Sequence, residues 1–192
     1  IPFASIVEEV LSGVDLAYLK RCQLPSTLIY DSQSDQVISN PLAPRLQTLD
    51  EAPSPYLTGL MDFFLENELR PMIETNRGCP FLCTFCDWGS LTYTKVKKFE
   101  IERVEANFKW MSENKVTYIL CADANVGIFK DRDIEIAHIA RKYADVPGSL
   151  IDGINFQYNK NNTDVCLDIA AILGPYSRGI TFAVQSMSES VL

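Results

Sequence analysis

Cys79-Pro80-Phe81-Leu82-Cys83-Thr84-Phe85-Cys86 places three thiols at Cys-x3-Cys-x2-Cys spacing within eight residues. An apolar, strand-like run from Pro71 to Thr75 leads into it, and the turn Asn76-Arg77-Gly78 sets the first thiol just past the strand's end. Thiolates are soft ligands that suit iron–sulfur clusters, zinc or copper(I). Spacers of two and three residues let one short loop wrap a small cluster. Iron–sulfur clusters ordinarily take four cysteines. With three local ones, one iron of a four-iron cluster lacks a protein ligand, and an open position marks a catalytic rather than a structural metal. The competing reading is a zinc knuckle completed by a distant Cys22, Cys121, Cys166 or His138. Zinc sites usually pair their ligands in two separated couples, and the sequence has no second couple. A disulfide framework fits less well, because the other thiols are scattered through apolar segments and nothing points to secretion.

Cys79-x3-Cys83-x2-Cys86, with Phe85 just before the last cysteine, resembles the signature of the radical S-adenosylmethionine (radical SAM) enzymes. The resemblance implies that the three cysteines hold a [4Fe-4S] cluster whose fourth iron chelates the methionine part of SAM. An electron from the cluster would then cleave SAM to a 5′-deoxyadenosyl radical. The wider string Glu74 to Phe81, followed by Cys86-Asp87-Trp88-Gly89, is similar to the subgroup with a cobalamin-binding domain ahead of the radical SAM domain.

The chain has 192 residues, 47% hydrophobic and 22% charged, an ordinary globular composition. No apolar run approaches the roughly 20 residues of a membrane-spanning helix. The N-terminus lacks the basic region of a signal peptide, and Glu8 and Glu9 interrupt its apolar stretch. A cytoplasmic, reducing compartment suits free thiols and an oxygen-sensitive cluster. The net charge of −8 argues against a nucleic-acid partner. The densest basic patch, Lys95-x-Lys97-Lys98, reads as a solvated helix start. No initiator methionine is present and Ser190-Val191-Leu192 stops in mid-pattern, which gives the expectation of a longer protein.

Residues 1–40 predict a helix from Phe3 to Leu11, a short turn capped by Asp15, and a hairpin over Leu28 to Ile38. This part resembles the tail of a cobalamin-binding domain, although the Asp-x-His-x-x-Gly loop of many such domains is absent. Residues 41–70 read as a proline-rich linker and lead-in. From Pro71 to residue 192 the pattern alternates strand and helix: strands at 71–75, 116–121, 150–157 and 180–185, with amphipathic helices between. Asp131 and Thr163 are candidate helix caps. Such alternation means parallel βαβ units. The fold class is therefore α/β, and the resemblance implies a partial TIM-like (β/α) barrel holding its first four βα units.

In such barrels the site lies at the carboxyl ends of the strands. Polar clusters fall there at Asp123-Ala124-Asn125, Gln157-Tyr158-Asn159-Lys160 and Gln185-Ser186. By resemblance, Asp123 and Asn125 occupy the loop that meets the SAM ammonium, with Ala122-Asp123-Ala124-Asn125 in place of the common Gly-Gly-Glu. Gln185 and Ser186 resemble residues near the SAM ribose and carboxylate, and Phe85 the aromatic position near the adenine. Lys160 reads as solvent-exposed, with the option of pairing an acid on SAM or substrate. Cys22, Cys121 and Cys166 read as small buried hydrophobes. The resemblance implies SAM, a [4Fe-4S] cluster and cobalamin as cofactors, and an electron donor such as flavodoxin or ferredoxin as partner. The substrate would be a small molecule or peptide. The outcome would be methylation or rearrangement, with a methylthiotransferase-like enzyme without cobalamin, or a non-catalytic metal module, as alternatives.

Overall fold

The computed structural model describes residues 2–44, 46–65, 70–88, 95–180, 186, 188 and 189. It divides into two compact units between Gln47 and Thr48. In the first unit, α1 (Pro2–Leu11) and α2 (Leu16–Arg21) precede a hairpin of β1 (Leu28–Asp31) and β2 (Gln36–Ser39). Asp15 caps α2 by accepting the Tyr18 N–H at 2.6 Å, as its position predicts. No residue of α1 is buried, and Phe3, Val7, Val10 and Leu11 are exposed.

The second unit holds the alternating pattern. Its elements are β3 (Met72–Ile73), β4 (Asn76–Arg77), β5 (Lys97–Lys98), α3 (Ile101–Glu113), β6 (Tyr118–Val126), α4 (Lys130–Ala144), β7 (Gly153–Tyr158) and α5 (Thr163–Leu173). β6 is central in a parallel sheet of order β3-β6-β7, with Ile73 opposite Cys121 and Ile119 opposite Ile154. The helices return the chain between parallel neighbours, as the α/β pattern requires. Of the strand expected over 180–185, only Ile180 is among the described residues.

Helical periodicity sets the core. Val104, Phe108 and Met111 of α3 are buried, as are Val165, Ile169 and Leu173 of α5. On α4, Ile136, Ala137, Ala140 and Ala144 are buried. Part of the expected linker also packs in this unit. Ser54 donates to the buried Asn107 side chain at 2.7 Å, and the Tyr56 hydroxyl donates to the Met72 carbonyl at 2.7 Å.

Three local expectations change. Lys97 and Lys98 form strand β5 rather than a helix start, paired antiparallel with β4, because the chain must return beside the strand end it left. Asp131 does not cap α4; the N-cap position is Phe129, and the carboxylate of Asp133 reaches back to accept from the Gly127 and Phe129 N–H groups at 2.8 and 3.0 Å. Asn162, not Thr163, occupies the N-cap position of α5.

Burial pushes the Asp133 carboxyl up, against the pull of its two N–H donors and Arg132. The folded chain therefore holds this proton to higher pH than the unfolded chain, and stability falls as pH rises through that window. Both N–H donors meet one oxygen, Oδ2, which asparagine can reproduce. Asp133→Asn should thus gain stability relative to the parent as pH goes from about 4 to about 7, read by urea denaturation. A relative loss would contradict the assignment. Lys115, exposed just past α3, sits at φ 57. A left-handed conformation costs a non-glycine residue about 1 kcal/mol, so Lys115→Gly should raise the melting temperature by a few degrees.

Candidate metal and cofactor site

The cysteine loop springs from the carboxyl end of β3 and is pinched shut at its base. Asn76 pairs with Lys98 and Arg77 with Lys97. Gly78 follows at φ +124, and a Cβ there would lie 2.3 Å from the Lys95 carbonyl oxygen. Only glycine permits that approach.

Asp123 braces this base from the central strand. Its carboxylate accepts from the Thr75 N–H at 2.6 Å and the Asn76 N–H at 3.1 Å, from the Asn76 side-chain amide at 2.8 Å, and from the Thr75 hydroxyl in a short bond. Four donors match the roughly four lone-pair sites of a carboxylate. Asp123 is 1% exposed, and burial pushes its carboxyl up while the donors pull it down. Arg132 of α4 completes the brace by donating to the Thr75 and Phe99 carbonyls at 3.0 and 2.8 Å.

A bulge delivers Asp123 and Asn125. Between the pairs Cys121–Phe156 and Val126–Tyr158, β6 advances five residues while β7 advances two. The surplus carries the Ala122–Asn125 stretch toward the cysteine loop. A cleft of about 450 Å³ opens there, lined by Cys79, Cys83 and Cys86, by Phe85 and Trp88, by the bulge, and by Gln157, Tyr158 and Lys160. Asn125 donates its amide to Cys79 Sγ at 3.2 Å, and Lys160 donates its ammonium to Cys83 Sγ at 3.1 Å. A hollow of about 540 Å³ in the first unit, lined in part by Lys20, Arg21 and Asp31, holds no thiol, so the chemistry favours the smaller cleft.

Of the residues singled out from sequence, the three cysteines, Phe85, Asp123, Asn125, Gln157, Tyr158 and Lys160 come together at this cleft. Asp123 spends its oxygens on Thr75 and Asn76 rather than presenting them to the cleft. Ser186 is not part of the lining and accepts the Ser188 N–H at 3.1 Å; Gln185 lies outside the described residues. Sequence reading missed the contact of Lys160 with Cys83 and the brace by Thr75, Asn76 and Arg132. The polar pair Thr75-Asn76 at a strand end was the available signal.

Three thiols on one short loop form a soft donor set of the kind that suits an iron–sulfur cluster or zinc. Among the described residues no three His, Cys, Asp or Glu side chains converge on one ion-sized point. The thiolates of a multi-iron cluster each bind their own iron and so stand farther apart than the ligands of one ion. Cys121 and Cys166 are wholly buried, burial pushes both thiols up, and neither lines the cleft. His138 is exposed on α4.

No known protein-family profile matches the chain. It is 38% identical over 166 residues to the cobalamin-dependent radical SAM methyltransferase TokK of Streptomyces tokunonensis, covering 82% of this chain and 24% of TokK. The chain is a homologue of cobalamin-dependent radical SAM enzymes. It is also 40% identical over 159 residues to 2-(S-pantetheinyl)-carbapenam-3-carboxylate methyltransferase of Streptantibioticus cattleyicolor, covering 78% of this chain and 23% of that one. The chain thus spans about a quarter of the length of these curated relatives. The solved structure of the cobalamin-dependent S-adenosylmethionine radical enzyme OxsB shares the fold, with a TM-score of 0.60 at 16% identity, over 99% of this chain and 27% of OxsB. Among the described residues, no helix of this radical SAM homologue is long and apolar enough to cross a membrane.

Asp123→Ala would strand four donors at a buried position. It should cost about 3 kcal/mol or more in urea denaturation, and Asp123→Asn, which sets an amide N–H₂ against donors, should recover little. Near-parent stability of either variant would show that the brace is dispensable.

Proposed function

We propose that this chain carries the radical SAM site of a cobalamin-dependent methyltransferase-type enzyme. The observation that carries the reading is the meeting of Cys79, Cys83 and Cys86 with Asn125 in one cleft at the carboxyl ends of parallel strands. The three thiolates would hold a [4Fe-4S] cluster and leave one iron open to SAM. When bound, the cluster would supply an electron for reductive cleavage of SAM, and cobalamin would supply the transferred methyl group.

The chain's own residues bind, orient and exclude water. Asn125 offers a polar contact to the methionine part of SAM, Phe85 a surface for the adenine, and Gln185 and Ser186 contacts to the ribose and carboxylate. Asp123 acts from behind by holding the loop base. Trp88 and Phe81 border the same cleft. The parallel strands are, in this reading, the first of a TIM-like partial barrel with residues 180–185 as its fourth. Cobalamin is held mainly by a domain preceding the present residues. A flavodoxin or ferredoxin in the cytoplasm delivers the electron, and the substrate is a small molecule or peptide.

Anaerobic iron–sulfur reconstitution followed by EPR tests this. The reduced protein should show a four-iron signal that changes on SAM addition and vanishes in Cys83→Ala. Uptake of zinc in place of iron, or a cluster indifferent to SAM, would return the cysteines to a structural role.

A further inference from the structure

Two of the three cysteine sulfurs accept hydrogen bonds from the ends of neighbouring strands, and one of the donors is charged. Lys160 reaches Cys83 Sγ at 3.1 Å, and its ammonium lies 5.7 and 5.8 Å from the ring centroids of Phe81 and Phe85. It is only partly exposed, so the charge acts through a medium less polar than water. Its backbone position is fixed on both sides. The Asn159 N–H donates to the Val126 carbonyl at 2.7 Å, the Asn159 carbonyl accepts from Cys166 Sγ at 3.3 Å, and the buried Asn159 side chain accepts the Asn161 N–H at 3.0 Å. Asn125 makes the second contact, to Cys79 Sγ at 3.2 Å, from the bulge of β6.

We propose that Lys160, seconded by Asn125, sets the reduction potential of the cluster held by these cysteines. The inference rests on the cluster reading above and adds a positioning role within it. Reduction adds negative charge, and part of that charge resides on the ligating sulfurs. Hydrogen bonds to the sulfurs and nearby positive charge stabilise the reduced form and raise the potential. Lys160 contributes both at Cys83. Asn125 contributes a neutral hydrogen bond at Cys79, which is the weaker device. Cys86 is the most exposed of the three, so solvent serves it instead.

The test is a potentiometric EPR titration of the anaerobically reconstituted protein, before SAM is added, on the parent and on Lys160→Met, Lys160→Gln and Asn125→Leu. Lys160→Met should move the midpoint to more negative potential. Lys160→Gln keeps an N–H donor without the charge and should fall between. Asn125→Leu should shift in the same direction by less. If Lys160→Met does not load, the other two variants carry the same comparison. A loaded parent whose midpoint is matched by the Lys160 variants would overturn the inference alone. Weakened SAM binding at an unmoved midpoint would do so too, and would reassign Lys160 to an acid on the ligand. A parent protein that takes up no cluster would overturn the cluster reading and this inference with it.

Discussion

The buried carboxylate of Asp123 ties the central strand to the root of the cysteine loop. Its partners, Thr75 and Asn76, lie 48 and 47 residues away in sequence. They are also the residues at which the chain leaves the sheet to build the loop. Removing a carboxylate from water is costly unless donors replace the solvent, and here two backbone N–H groups, a hydroxyl and an amide do so. The arrangement is stable only when strand end and bulge are together, so the bond network enforces the geometry that the thiols require. Arg132 ties the same residues to α4, which extends the constraint from sheet to helix layer.

The bulge in β6 is the geometric counterpart of that brace. A regular strand would alternate its side chains between two faces and send Asn125 along the sheet. The surplus residues turn Asn125 to Cys79 while Asp123 keeps the buried side that Ile119 and Cys121 also occupy. One irregular stretch thereby provides both a support and a contact. Lys160, two residues past the end of β7, provides the second contact. Sheet order thus becomes the order in which the cysteines are met: β6 serves Cys79, and β7 serves Cys83.

Local pattern was enough for the helices and for locating the cysteine loop. Val104, Phe108 and Met111 follow helical spacing and are buried, and the cysteine spacing needs no tertiary information. Long-range partners were not legible. Asp123 reads from sequence as a residue for a ligand because it follows a strand; nothing local reveals that Thr75 and Asn76 take its oxygens. Asp131 reads as a cap because it precedes an apolar periodicity, yet Asp133, one turn in, reaches the free N–H groups of Gly127 and Phe129. Lys160 reads as solvated because lysines usually are, and its direction depends on β7 lying beside β6. Extra residues in a bulge leave no mark in composition, which is why β6 seemed to end at Cys121 rather than Val126.

The two-residue ladder at the base of the cysteine loop has a consequence for how that loop is ordered. Joining the ends of a flexible segment is the entropically demanding part of ordering it. Here Asn76–Arg77 and Lys97–Lys98 are joined by the fold itself, through strand pairing and the buried brace. The base of the excursion is therefore set by protein contacts alone. If the thiols hold a cluster as proposed, its loss would leave the strand pairing and the buried brace in place.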